Sequence, residues 1–139
     1  MRLSGFVPSE AAREDLVQAA RGAVGSLRVD DEMMIGDGAP NGFMPNAKLG
    51  LQQMGRLASG RIAVRDNDFS VTGTAASPEA YAAVVGDLGQ PIAGGVRPVL
   101  SGLAPAAVAP FVWAAETAQG RVRLTGYVPD EATRARIRD

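Results

Sequence analysis

The 139-residue chain contains neither cysteine nor histidine. A Ser-His-Asp triad, a cysteine nucleophile and a His/Cys zinc site are therefore excluded, and no disulfide or thiol pattern reports its compartment. Charge of one sign is lacking too: 14 Lys+Arg stand against 15 Asp+Glu, a net charge of -1. The broad positive field that gathers nucleic acid is missing, so nucleic acid is not an expected partner. No apolar run approaches the ~20 residues of a membrane helix, and no transmembrane segment is expected. Met1 to Pro8 hold no apolar stretch before the proline and do not read as a signal peptide. What remains is 46% hydrophobic and 21% charged, the balance of a folded chain with room for one domain or two small ones.

The organising signal is self-similarity. Residues 2–13 (RLSGFVPSEAAR) and 123–134 (RLTGYVPDEATR) agree at eight of twelve positions, and a weaker copy runs from Phe69 to Ala80. Gly5, Gly73 and Gly126 mark the copies, 68 and 53 residues apart, which fits one small α/β unit. Each copy reads as a short strand, the glycine, an extended stretch and a capped helix. Ser9, Ser77 and Asp130 can each accept a hydrogen bond from a first-turn amide, and Glu10, Glu79 and Glu131 complement the helix dipole. Pro8 and Pro129 hold the residue before them extended, while Pro78 takes the first helical position.

Between the copies, spacing predicts a helix over Pro45–Ala58 with one buried stripe at Ala47, Leu51, Met54 and Ala58. It predicts strands over Gly60–Arg65 and Phe69–Thr74 joined at Asp66–Asp68, a helix over Pro78–Leu88, and a strand over Val96–Leu100. This central order is αββαβ. The first copy continues through a helix over Glu10–Ala23 and a strand over Ser26–Glu32. The last consists of strands over Phe111–Glu116 and Arg121–Tyr127, turning at Gln119-Gly120, and a helix over Glu131–Arg138. The expected fold is α+β: tandem small αββαβ units, each a three-stranded sheet with helices on one face, incomplete at both ends. The expected divisions are a partial unit at 1–35, a Gly-rich linker at 36–42, a complete unit at 43–101, an Ala/Pro linker at 102–110 and a partial unit at 111–139. The two incomplete ends suggest a slice of a longer repeat protein.

The run Leu-Ser/Thr-Gly-Phe/Tyr-Val-Pro-Ser/Asp-Glu-Ala, with its alanine-rich helix and closing strand, resembles the BON domain, whose αββαβ order matches the central unit. With Ala109 to Thr117 ahead of it, the last copy is similar to the tandem units upstream of the C-terminal domain in OmpA-family envelope proteins. The resemblance implies a non-catalytic, periplasmic or outer-membrane-associated module that attaches to phospholipid or another envelope component, with Gly5, Pro8, Gly73, Gly126 and Pro129 as structural residues of the motif. A peptidoglycan-binding domain is not recognisable.

Other residues with chemical potential read more simply. Gly36 to Gly42 superficially resembles a phosphate loop, but Pro40 interrupts it and the run reads as a flexible loop between units. Asp30, Asp31, Glu32 and Asp37 form the densest acidic cluster, without the spacing of a calcium loop; no metal site and no cofactor are expected. Recurrence of Glu10, Glu79 and Glu131 at a capping position argues for helix chemistry, not catalysis. Arg121, Arg123, Arg134, Arg136 and Arg138 crowd the C-terminal 20 residues, and with Trp113 they are the candidate lipid-binding residues; arginines near an anionic surface contribute about 1 kcal/mol each. The bland alternative is a set of solvated faces, with Phe111, Trp113 and Tyr127 filling a core. A second function, a spacer or oligomerisation repeat without lipid binding, would pair exposed strand edges between chains.

Overall fold

The computed structural model describes residues 1–138. They form two compact units, Met1–Ala106 and a second beginning at Ala107. The fold is α+β, with four α-helices and three sheets among the described residues.

The first unit opens with β1 (Arg2–Val7), α1 (Glu10–Val24) and β2 (Asp30–Ile35). β1 and β2 pair in parallel, Arg2 opposite Asp30 through Val7 opposite Ile35. The Ser9 side chain accepts from the Ala12 amide at 3.1 Å, as its position in the repeat predicts. The chain continues through α2 (Phe43–Met54), β3 (Leu57–Arg65), β4 (Asp68–Ala75), α3 (Pro78–Leu88), a 3-10 turn at Ala93–Gly95 and β5 (Val99–Ala104). β4 lies between β3, antiparallel, and β5, parallel, and Ser77 caps α3 through the Ala80 amide at 3.0 Å. Thus β1-α1-β2 and β4-α3-β5 share one arrangement, a parallel pair joined by a capped helix.

Two cores result. Phe69, Val71, Val84, Leu88, Val96 and Leu103 are buried together, with Leu49, Ile62 and Tyr81 against them. Helices α2 and α3 therefore cover the same face of the three-stranded sheet. Val7, Leu16, Ala20, Met33 and Leu51 form the other core, with Leu3, Phe43, Met44 and Ala47 packed on it. Helix α2 serves both. Met44, Ala47 and Leu51 face the β1–β2 core, and on the opposite side Gly50 lies against Ile62 and Phe69. On that second side Gln53 is buried, donating to Asp87 at 3.1 Å and accepting from Arg56 at 2.9 Å. Asn46 is buried with it and donates to the Ala93 carbonyl at 3.0 Å.

Several boundaries differ from the sequence expectation. Helix α2 ends at Met54, not Ala58, because Gly55 follows and the ladder with β4 extends back to Leu57; Ala58 belongs to β3. Strand β2 starts at Asp30, not Ser26, since Gly25 at φ +59 and the Leu27 amide on the Val24 carbonyl turn the chain first. Strand β5 starts at Val99, not Val96, because Gly94 and Gly95 at positive φ and the Ile92 amide on the Val96 carbonyl close a turn there. Residues 36–42 lie inside the first unit, where Gly42, at φ +84, approaches the Ala93 backbone so closely that a Cβ would meet it at 3.0 Å.

The second unit holds β6 (Trp113–Ala118), β7 (Arg121–Gly126) and α4 (Glu131–Arg138). The strands form an antiparallel hairpin whose central residues, Gln119 and Gly120, are both at positive φ, as tight hairpin turns require.

One local conformation recurs in all three segments. Gly5, Gly73 and Gly126 adopt φ of +115°, +129° and +121°. At Gly73 an added Cβ would collide with the Ser59 carbonyl oxygen on β3, and at Gly126 with the Val112 carbonyl oxygen. At Gly5 it would meet nothing within 4 Å. Gly73→Ala should therefore cost about 2–3 kcal/mol more than Gly5→Ala, which carries only the backbone strain of about 1–2 kcal/mol. Urea unfolding of the two variants at low protein concentration measures the difference.

Candidate functional site

The arginine-rich second unit is built on the β6–β7 hairpin. Its register places Trp113 opposite Gly126, Ala115 opposite Leu124 and Thr117 opposite Val122; Glu116 faces Arg123 and Ala118 faces Arg121. Because side chains alternate along a strand, Trp113, Leu124 and Val122 share one face, while Glu116, Arg123 and Arg121 share the other. The hairpin thus gathers Arg121 and Arg123 and sets Trp113 on the opposite side from them.

The apolar face lacks cover. Val122 and Leu124, two positions apart and ending two before Gly126, correspond to Phe69 and Val71 before Gly73. Phe69 and Val71 are both 0% exposed, whereas Val122 and Leu124 are 69% and 39% exposed. Trp113, Phe111, Val112 and Ile137 are exposed as well. Phe111 and Tyr127 pack against each other, ring centroids 6.4 Å apart, and the Tyr127 amide donates to the Val112 carbonyl at 2.9 Å. These contacts pin the residues flanking the hairpin but leave its apolar side open.

Helix α4 carries the other three arginines. Asp130 caps it by accepting from the Thr133 amide at 2.6 Å. Arg134 stacks one turn before Arg138, and Arg136 projects from another side of the helix. Arg134 reaches Glu131 at 3.4 Å; Arg121, Arg123, Arg136 and Arg138 have no ion-pair partner among the described residues. The hydrogen bond from Thr133, with help from the Arg136 charge, holds the Asp130 carboxyl below the usual carboxylate range.

The acidic cluster of the first unit is neutralised locally. Arg2 reaches Glu32 at 3.9 Å, Arg28 reaches Asp30 at 2.6 Å, and Arg13 donates to Asp31 at 2.8 Å. Asp31 also accepts from the Met33 amide at 3.0 Å; that bond, followed by the one from Arg13, lowers its carboxyl pKa. Asp31 ties β2 to α1, while Asp30 and Glu32 pair with arginines of the preceding loop and of β1, and no group of three or more acidic side chains converges as metal ligands would among the described residues. Glu10 lies 3.6 Å from Arg13 in the first turn of α1, a helix-start role.

With this geometry established, comparison with known proteins adds one finding. Residues 2–37 match the family model of the BON domain. That segment resembles a BON domain. The match covers β1, α1 and β2, ending just beyond Ile35, so it coincides with the strand-helix-strand element that contributes the Val7–Leu16–Met33 core. BON domains are non-catalytic, binding-type modules. Neither comparison with curated proteins nor comparison with solved structures gives a match.

Composition concealed the polar trio Gln53, Arg56 and Asp87, since nothing in its spacing announces a buried amide. The uncovered face of Val122 and Leu124 was within reach of the sequence, because those residues align with Phe69 and Val71.

The depressed Asp130 pKa fixes a pH response. A carboxyl whose folded pKa lies below its unfolded value near 3.8 contributes stability that is present above that value and lost as pH falls through the folded pKa. Helix α4 should therefore stay formed at pH 5 and unwind progressively below about pH 3.8. Asp130→Asn, which keeps a capping oxygen, should remove this titration without removing the helix. Amide resonances of Ala132 and Thr133 followed through an acid titration measure both effects.

Proposed function

We propose that the chain is a non-catalytic module of an OmpA-family-like envelope protein, periplasmic or outer-membrane-associated, that attaches to anionic phospholipid through its second unit. The observation that carries this reading is the hairpin itself, with Trp113, Val122 and Leu124 uncovered on one face and the unpaired Arg121 and Arg123 on the other. Helix α4 adds Arg134, Arg136 and Arg138. Tryptophan and aliphatic side chains partition into the interfacial region, and the arginines on the other face of the hairpin and on α4 add a longer-range attraction to anionic headgroups. The BON match at residues 2–37 supports the class of function, because BON domains occur in envelope proteins and phospholipid attachment is the role proposed for them. The Leu-Thr-Gly-Tyr-Val-Pro wording of residues 124–129 supports the OmpA-family setting. No helix among the described residues is long and apolar enough to cross a membrane, so attachment in this reading is peripheral.

Co-sedimentation with vesicles tests the proposal. The chain should pellet with anionic phosphatidylglycerol vesicles at low salt, bind phosphatidylcholine weakly, and release as ionic strength rises. Replacing Arg134, Arg136 and Arg138 together by Ser removes about 3 kcal/mol of surface attraction, roughly a hundredfold in binding. Trp113 is the chain's single tryptophan, so its fluorescence should shift to the blue on binding. A folded chain that stays in the supernatant with every vesicle would refute the proposal.

A further inference from the structure

The three-stranded sheet of the first unit has two unlike faces. Ile62 and Val64 of β3 and Phe69 and Val71 of β4 point to the core under α2 and α3, so the residues between them point the other way. On that outward face Arg61 lies opposite Thr72 and Thr72 opposite Gly102, Ala63 lies opposite Ser70, and Arg65 opposite Asp68. Gly102 keeps the face low, since a Cβ there would meet the Thr72 Cγ2 atom at 2.6 Å. Arg97 is exposed two residues before Val99, which pairs with Ser70, and so stands at the Arg65–Asp68 end of the sheet. The cations of the first unit are unevenly matched. Arg2, Arg13, Arg28, Lys48 and Arg56 each reach a carboxylate. Arg61, Arg65 and Arg97 have no ion-pair partner among the described residues, and the other cation of this unit without one, Arg21, lies in the last turn of α1. The unmatched positive charge of the first unit is thus concentrated on one side of one sheet.

We infer that the outward face of β3–β4–β5 is a second contact with anionic phospholipid, which rests on the attachment proposed above and adds the first unit to it. Charge complementarity selects the partner class. Three guanidinium groups outnumber the carboxylates of Asp66 and Asp68 at the same end, and each free arginine is attracted to an anionic headgroup layer. Shape selects a bilayer among polyanions. A single-stranded nucleic acid stacks its bases on aromatic rings, and this face presents none, because Phe69 points to the core. A plane of headgroups asks only for a flat surface with charges standing out of it. Ala63, Gly102 and the hydroxyl residues Ser70 and Thr72 lie low between the arginines and offer no large apolar group to insert. The contact is therefore electrostatic and weakened by salt, unlike one made by Trp113, Val122 and Leu124.

The full chain on phosphatidylglycerol vesicles tests this. Changing Arg61, Arg65 and Arg97 together to Ser should leave the circular dichroism unaltered and weaken binding roughly tenfold at low salt, a smaller loss than three unopposed arginines would give because Asp66 and Asp68 remain. Loss of any positive charge lowers the attraction, so position is read separately. The chain has no cysteine, and Thr72→Cys and Val85→Cys each supply one labelling site; Val85 is exposed on α3, which covers the other face of the sheet. A fluorophore attached in Thr72→Cys should become shielded from aqueous iodide when vesicles are added, and one attached in Val85→Cys should stay open to it. Unchanged binding by the folded triple variant overturns the inference, as does a Thr72→Cys label that stays open to iodide or is shielded no more than the Val85→Cys label. In each of those cases a wild-type chain that still binds leaves attachment through the second unit standing. A wild-type chain that binds no vesicle refutes that attachment, and this contact falls with it. Should the triple variant fail to fold, the two labels decide.

Discussion

Helix α2 lies between two apolar cores, and the unity of residues 1–106 depends on it. Without its inner side, the β1–β2 pair would be a two-stranded sheet with one helix, below what a sheet needs for independent stability. Met44, Ala47 and Leu51 supply the missing apolar surface to that pair. The opposite side of the same helix must then meet the β3–β4–β5 sheet, and it does so with Leu49 beside small and amide residues. Gly50 lets the helix approach Phe69 and Ile62, while the side-chain amides of Asn46 and Gln53 donate to the Ala93 carbonyl and to Asp87. A Cβ at Gly50 would meet the Ile62 side chain at 3.0 Å, so any larger residue there requires that side chain or the helix to give way. One short helix thus carries both sheets, with an apolar stripe towards one and a mixed stripe of Leu49, Gly50 and two buried amides towards the other.

This division explains what the sequence disclosed and what it did not. Capping serines and Asp130 were legible because an N-cap is a local interaction: the side chain and the amide it accepts from lie three residues apart. The stripe through Ala47 and Leu51 was legible because it is apolar at helical spacing. The second stripe, Asn46-Gly50-Gln53, was not, since burial of an amide is decided by a distant carboxylate such as Asp87, 34 residues away. The ends of α2, β2 and β5 were missed for a related reason, the glycines. Gly25, Gly94 and Gly95 redirect the chain at positive φ, and the identity of a glycine does not say whether it bends the chain or packs against a neighbour. The arginines and Trp113 were found by composition, but their distribution over two faces needed the strand register.

Gly5, Gly73 and Gly126 show how one local conformation has different consequences in different surroundings. A positive φ in mid-strand is costly for any residue with a Cβ, so a glycine is required wherever the backbone adopts it. At Gly73 and Gly126 the missing side chain has a second use, giving room for the carbonyl of the next strand. At Gly5 only the conformational reason applies.

The second unit leaves an apolar face uncovered. Val122 and Leu124 occupy positions whose counterparts, Phe69 and Val71, lie at the centre of a core. A two-stranded hairpin with an eight-residue helix has too little surface to enclose them. Water against such a face costs about 25 cal/mol for each Å² left uncovered, so any surface that removes it from water while accepting the nearby guanidinium groups is favoured over solvent. An anionic bilayer interface meets both conditions together. A neutral apolar surface would gain nothing from the arginines, and a purely acidic one would leave Trp113, Val122 and Leu124 wet. The proposed attachment to a lipid headgroup region rests on that pairing of requirements more than on the number of arginines.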